Sequence, residues 1–490
     1  MEFKKFIEST LVYNGVKLES IKQNIQDALS LDPLLIEEFS SIANFQTKLM
    51  MNYNIKNRIF DVENLKITIP NATNNKAYDA SLDIQTLIPD TILMDKFEGL
   101  EEIGLKFNSE TKKFEGILTK SGDLQIKYLY KVREQEESSE YNIKLITLVV
   151  NPDPKDLWQN IPSNQEDIFA KPDDISVFDS LGDKSILVSS KRGRSHANVG
   201  TSRDDDFAFK QLDSGWSVVV VSDGAGSAGL ARKGSLLACE SIVNYFETLI
   251  DDEKLTEFEK SITTYSELIK DETTKELADE KLKDIDGQSK QLMYKASLHA
   301  YTQIKDLADK TISEKPELFN NPKAKSAIDY FHSTLIFVVF KKFNFGYLIQ
   351  SFGVGDCPIA FMNLEKSETV MMNWLDVGEF GGGTRFITQP EIFSSTERPA
   401  ATRFNMKIIP DFSYLFLMTD GIYDAKFIVE ANLEKHDKWL DFLADLDGRN
   451  DDNSKVVLNK ENKEITNEIS KWMDFWSVGN HDDRTLAIIF

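Results

Sequence analysis

The chain has 490 residues, 41% of them apolar and 11% aromatic, which is enough for two or three domains with full cores and excludes a mainly disordered protein. Its 57 basic and 80 acidic residues give a formal net charge of -23, so nucleic acid and other polyanions would have to bind against the mean field. Two cysteines, Cys239 and Cys357, exclude a disulfide framework and offer no metal-type spacing. The opening Met1-Glu2-Phe3-Lys4-Lys5 lacks the apolar stretch of a secretion signal, and no uninterrupted apolar run approaches the roughly 20 residues of a membrane span. A cytoplasmic protein with no membrane contact is expected.

Taken in order, residues 1–62 read as helical, with Ile21, Ile25, Ala28 and Leu29 on one face and Pro33 as punctuation. From about residue 63 to 152 the apolar period is two: Leu124, Ile126, Tyr128 and Tyr130 alternate with Gln125, Lys127 and Leu129, and the period recurs in Ile143, Leu145, Thr147 and Val149. Turn signals such as Pro70-Asn71-Ala72-Thr73 and Lys120-Ser121-Gly122-Asp123 separate these runs, and a small β-sandwich is expected. Together with Gly104-Leu105-Lys106-Phe107 and Phe114-Glu115-Gly116, they loosely resemble immunoglobulin-like accessory modules of bacterial proteins. A polar, proline-bearing stretch, 153–182, reads as a linker. Beyond it, 183–490 forms one large unit with strands expected at 186–189, 206–210, 216–221, 334–340, 346–352, 405–409, 414–418 and 485–490. Helices are expected at 230–249 and 288–312. The charged stretch 251–287 is either a third helix or a solvated excursion.

Two of these strands end on Asp-Gly. Val218 to Val221 runs into Ser222-Asp223-Gly224-Ala225-Gly226, and Leu415 to Met418 runs into Thr419-Asp420-Gly421-Ile422-Tyr423-Asp424. An apolar strand that stops on aspartate projects a carboxylate at the sheet rim, and the glycine lets backbone approach closely and frees its carbonyl. Asp482 and Asp483 precede a further strand. Carboxylates converging in this way are suited to hard divalent cations such as Mg²⁺ and Mn²⁺, and a pair of such ions can activate water for attack on phosphorus.

Residues 183–490 resemble the type 2C, metal-dependent serine/threonine protein phosphatase family, and within it a divergent bacterial branch. The resemblance rests on Gly193-Arg194-Ser195-His196 through Arg203-Asp204-Asp205-Asp206-Phe207, Asp223-Gly224-Ala225-Gly226, Ser333-Thr334-Leu335, Gly355-Asp356-Cys357, Asp420-Gly421 and Asp482-Asp483-Arg484-Thr485, in that order. Gly378-Glu379-Phe380 and Thr384-Arg385-Phe386 add to it. It implies an αββα four-layer sandwich, here preceded by the helical segment and the β-sandwich. Asp223 would bridge two Mn²⁺ or Mg²⁺ ions with the Gly224 carbonyl beside it, Asp420 and Asp482 would complete the sites, and Asp356 would serve a third, weaker ion. One or both of Asp204 and Asp205 would reach the metals, with Asp206 as fallback. The implied reaction is hydrolysis of phosphoserine or phosphothreonine by a metal-bridged hydroxide, and the implied partner is a phosphorylated protein, a cognate kinase among the candidates.

The sequence departs from the family at two positions. Gly200 stands where many members hold the substrate phosphate with arginine, leaving Arg203 as the nearest substitute, and Ala225 stands where better-known members have a histidine acid. His196, His332 and His481 lie beside motif residues but read more simply as structural groups. These departures keep open a catalytically weak phosphoprotein-binding regulator with the same fold, and a phosphatase acting on small molecules.

Overall fold

The computed structural model describes residues 2–153, 158–376, 383–396, 399–477 and 479–490. The chain divides into two compact units, Met1–Leu157 and Trp158–Phe490. Only the longer helices are labelled below.

The first unit opens with α1 (Phe3–Tyr13), α2 (Gln23–Ser30) and the long α3 (Pro33–Asn64). Asp32 caps α3 by accepting from the amides of Leu34 and Leu35, and Pro33 sits in the first turn, where its missing N–H costs nothing. The following strands are β1 (Ala72–Thr73), β2 (Ala77–Ser81), β3 (Ile92–Glu98), β4 (Leu105–Asn108), β5 (Lys113–Ile117), β6 (Gly122–Val132) and β7 (Asn142–Asn151). They form one sheet in the order β1-β7-β6-β3 and another in the order β2-β5-β4. Phe114, Tyr128, Tyr130, Ile146 and Leu148 share their core with Val62 of α3. The expected alternation holds in β6 as far as Tyr128, beyond which Leu129 and Lys131 are buried too, but in β7 the buried phase is Ile146, Leu148 and Val150, while Ile143 and Leu145 face solvent. Both phases of β7 are apolar, so period alone could not choose between them. Pairing of Ile126 with Ile146 fixes the register.

The second unit contains β8 (Asp174–Leu181), β9 (Lys184–Lys191), β10 (Asp206–Gln211), β11 (Ser217–Ser222), β12 (Leu335–Phe343), β13 (Gly346–Val354), β14 (Ile359–Asn363), β15 (Thr369–Met371), β16 (Phe404–Ile409), β17 (Phe412–Met418) and β18 (Arg484–Ile489). Two antiparallel sheets result, β10-β11-β12-β13-β16 and β15-β14-β17-β18-β9-β8. Val219, Val221, Ile336 and Val338 of one pack against Val188, Leu415, Leu417 and Ala487 of the other. Alternate residues of the same strands turn outward: Val218 and Val220 meet α4 (Ala231–Asn244), α5 (Asp252–Leu268) and α6 (Lys275–Glu314). Phe416 and Met418 meet α7 (Asp420–Phe427), α8 (His436–Leu446) and α9 (Ile465–Trp472). The result is the expected four-layer αββα sandwich. Burial on both faces is why these strands read as unbroken apolar runs, each large side chain contributing about 1.5–3 kcal/mol.

Two boundaries differ from the sequence reading. Residues 174–181, placed in the linker, form β8 and pair along their length with β9; Ile175 and Val177 carried the signal, masked by flanking proline and aspartate. The charged stretch 251–287 holds α5 and the first turns of α6, which buries Ala278, Ile285, Ser289 and Met293 along one face.

Candidate metal centre

Each acidic residue is delivered by a strand end whose position is locked by neighbouring backbone. Asp223 follows β11; its amide donates to Thr334 Oγ1 at 2.9 Å, and its carbonyl accepts from the Thr334 amide at 2.7 Å. Gly224 bridges to Ser333, and a Cβ there would stand 2.6 Å from the Asp204 carbonyl oxygen, so only glycine fits. Asp420 begins α7 directly after β17, and Thr419 ties that turn to β18 through the Thr485 carbonyl and amide. Asp356 follows β13 at a turn where Gly355 has φ of 100° and lies against Thr334. Thr384 Oγ1 donates to Asp356 Oδ2 at 2.6 Å. Asp482 precedes β18 and accepts from the Asp483 amide.

The three consecutive aspartates have separate fates. Asp204 donates its amide to Asp483 Oδ2 and lies 3.4 Å from His196 Nε2. Asp205 is fully buried, accepts 2.8 Å hydrogen bonds from Thr419 and Thr485, and is hydrogen-bonded to Asp223. Asp206 starts β10 and turns away, where Lys171 meets it at 3.0 Å. Lys171 also donates to the carbonyls of Asp205 and Arg232, so a buried ammonium clamps the acidic turn from behind.

Electrostatics separate the two sides of this turn. Burial raises the carboxyls of Asp223 and Asp420 well above the carboxylate range, and the strongest neighbouring charges on both are other carboxylates: Asp420, Asp205, Asp482 and Asp356 around Asp223, and Asp482, Asp356 and Asp205 around Asp420. Burial, then Asp483, pushes Asp205 to about 7; burial carries Asp204 to about 7 against the pull of His196. Burial also raises Asp356, whose second oxygen is a buried acceptor without a partner, as is Asp420 Oδ1. Asp482 is the most accessible of the set, yet the surrounding chain and Asp483 still raise its carboxyl. Asp223, Asp356 and the Cys357 thiol offer ligand atoms within 4.8 Å of one another. Burial keeps that thiol protonated, which leaves the oxygen atoms as the donors for a hard cation.

The residues brought together are therefore Asp223, Gly224, Asp205, Asp356, Asp420 and Asp482, with Asp204 one step behind. Arg203 is a correction. Its guanidinium is buried and donates to the carbonyls of Pro172 and Asp205 and to Ser190 Oγ at 2.7 Å, leaving it turned into the protein rather than toward a substrate phosphate. Asp424 accepts from Asn480 at the edge of the cluster. His332 bonds Thr388 and stacks on Phe386, and His481 packs between Trp158 and Trp476. Gly378-Glu379-Phe380 and Gly381-Gly382 lie outside the described residues.

Sequence reasoning missed Asp483, the hub that accepts from the Gly193 amide at 2.6 Å, His196 Nδ1 at 2.9 Å and the Asp204 amide. Burial opposes its charge, but these donors outweigh burial and hold it below the ordinary range; in return, Asp483 overcomes burial at His196 and pushes that imidazole up to about 9. The Ser195-His196 and Asp482-Asp483 pairs were visible, but nothing in either predicts their meeting. Lys171 also went unread, and Thr384 was noticed as part of a resembling segment but not as a partner of Asp356.

The family model for protein phosphatase 2C matches residues 192–469, more than half of the chain. The chain belongs to the protein phosphatase 2C family. Among solved structures it is similar to a bacterial serine phosphatase (14% identity, TM-score 0.32, covering 62% of this chain and 96% of that one). It is also similar to the serine/threonine phosphatase Stp1 from Staphylococcus aureus (12%, 0.32, 65% and 98%) and to RsbX in complex with magnesium (12%, 0.31, 64% and 98%). No curated protein matches the sequence.

Proposed function

We propose that the chain is a Mn²⁺- or Mg²⁺-dependent protein serine/threonine phosphatase. The observation that carries this reading is the meeting of Asp205, Asp223, Asp356, Asp420 and Asp482, where the strongest charges on Asp223 and Asp420 are other carboxylates of the set and the strongest on Asp205 and Asp482 is the carboxylate of Asp483. A buried cluster of like charge is costly unless cations join it. The donor set fits such ions: it consists of oxygen atoms, two of them buried acceptors without partners, beside a glycine whose backbone is in close contact with Asp204.

In this reading Asp223, the Gly224 carbonyl, Asp420 and Asp482 would hold the divalent ions, Asp205 and Asp204 would support them from the turn, and Asp356 would hold a further one. Bound cations would supply the charge that lowers the pKa of water and neutralises the transferring phosphoryl group. The protein's own contribution is orientation. Thr419 and Thr485 fix the Asp205 carboxylate, Thr384 fixes Asp356, and Asp483 ties the Asp204 amide and His196 to the turn that carries Asp482.

The substrate is a phosphorylated protein in the cytoplasm, with a cognate kinase as a candidate. Among the described residues no helix is long and apolar enough to cross a membrane. Residues 183–490, extended by β8, carry hydrolysis; 1–62 and the β-sandwich of 63–152 serve docking. The test is release of phosphate from p-nitrophenyl phosphate and from a phosphothreonine peptide, with Mn²⁺, with Mg²⁺ and with chelator, using Asp420→Asn as control. Metal-stimulated release from the peptide supports the reading. Release from p-nitrophenyl phosphate alone points to small-molecule substrates, and no stimulated release from either points to a binding module.

A further inference from the structure

The first unit leaves one helix face uncovered. Nearly half of the large hydrophobic side chains exposed among the described residues lie within the first 60 positions, a density that a single surface rarely carries without a binding role. They are not scattered. On α3, Leu35, Ile42, Phe45, Leu49, Tyr53 and Phe60 recur at spacings of three, four and seven, which an α-helix lines up as one stripe. Phe45 is 65% exposed, Leu49 55%, Tyr53 62% and Phe60 62%. The helix is not loose. Its opposite face packs Ile55, Ile59 and Val62 into the β-sandwich core, and Arg58 reaches Glu134 at 3.1 Å. Nearer its start, Phe39 stacks on Phe3 at 4.6 Å.

We propose that α3 pairs antiparallel with α3 of a second copy of this chain, making the protein a two-fold dimer. The charges within the stripe select this occupant and this direction. Glu38 and Lys56 lie eighteen positions apart, five full helical turns, and each stands three and four positions from stripe residues, so both share the stripe's face. Phe45 and Leu49 stand two residues either side of Thr47, and Glu38 and Lys56 stand nine either side. A two-fold axis at Thr47 therefore sets Phe45 against Leu49 and Glu38 against Lys56, each twice. A parallel pair would bring no such opposite charges together, and an unrelated apolar partner would not need this symmetry about one residue. A strip about 10 Å wide along the helix is on the order of 500 Å² per copy, or roughly 1,000 Å² in total, which lies at the low end of specific interfaces and implies micromolar affinity.

Sedimentation velocity of the full chain from about 1 to 100 µM tests the proposal, since this range spans a dissociation constant of the expected size. A reversible monomer–dimer equilibrium is expected. Leu49→Glu should leave a monomer with unchanged circular dichroism and melting temperature. Glu38→Lys and Lys56→Glu, singly, should each weaken dimerisation by about tenfold, and the double variant should restore it. The proposal is overturned by a wild-type chain that stays monomeric across the range, by a double variant no stronger than the singles, by a Leu49→Glu chain that still dimerises, or by α3-dependent binding to vesicles from a monomer.

Discussion

Asp205 and Asp206 are neighbours in sequence and opposites in environment. Asp206 faces backward into a network in which Lys171 and Arg203 lie close enough to balance it. Asp205 faces forward into a ring of carboxylates, where hydroxyls and an adjacent acid hydrogen-bond it. Both are buried, so burial does not distinguish a structural charge from a ligand. What distinguishes them is whether the protein itself supplies the opposite charge. Where it does, the acid holds the fold; where it does not, the acid is left among like charges, as the proposed cation site requires.

The sharpest way to break this contrast is to remove one forward-facing charge. Asp420→Asn should cut metal-stimulated phosphate release on the order of 1,000-fold, equivalent to about 4 kcal/mol of barrier. The same variant should raise the melting temperature of the metal-free protein, because a mutually repelling charge is gone. A lowered melting temperature would contradict the repulsion inferred at the cluster. Removing the backward cation should do the reverse. Lys171→Met leaves Asp206 buried without its ammonium and should cost about 3–5 kcal/mol in chemical denaturation, with or without metal.

A smaller effect separates the two sides by pH. Asp205 ionises near 7 in the folded chain and near 4 when unfolded, so the stability it supports is complete below about 4 and is lost as pH rises toward 7. Asp223 and Asp420 shift in the same direction. With chelator present, the melting temperature should therefore fall by several degrees between pH 5 and 8, and saturating Mn²⁺ should flatten the curve. Smallest is Arg203→Lys, which should lower stability by about 1–3 kcal/mol through imperfectly satisfied carbonyls. It should leave KM for p-nitrophenyl phosphate unchanged. A raised KM would return Arg203 to the substrate side.

What could be read in advance followed local rules. Asp223, Asp420 and Asp482 each adjoin a strand whose apolar run is unmistakable, so position along the chain already implied position on the sheet rim. The choice among Asp204, Asp205 and Asp206 was not local. It depends on β10 beginning at Asp206 and pairing it with Ser222, and on Lys171, which sits in a stretch that reads as linker. Asp483 and His196 are 287 positions apart, and neither carries a motif that names the other. Strand β8 was hidden by composition, and the buried phase of β7 by having apolar residues in both.

The six-stranded sheet has a further consequence for how the centre comes into being. Strand β18 lies between β17 and β9, so until it is synthesised and inserted the sheet has a gap flanked by two raw, hydrogen-bond-hungry borders. Asp482 and Asp483 arrive with the strand that closes this gap. Closure of the sheet and completion of the acidic ring are thus a single event, and a nascent fragment ending before Asp482 lacks both Asp482 and Asp483 along with β18.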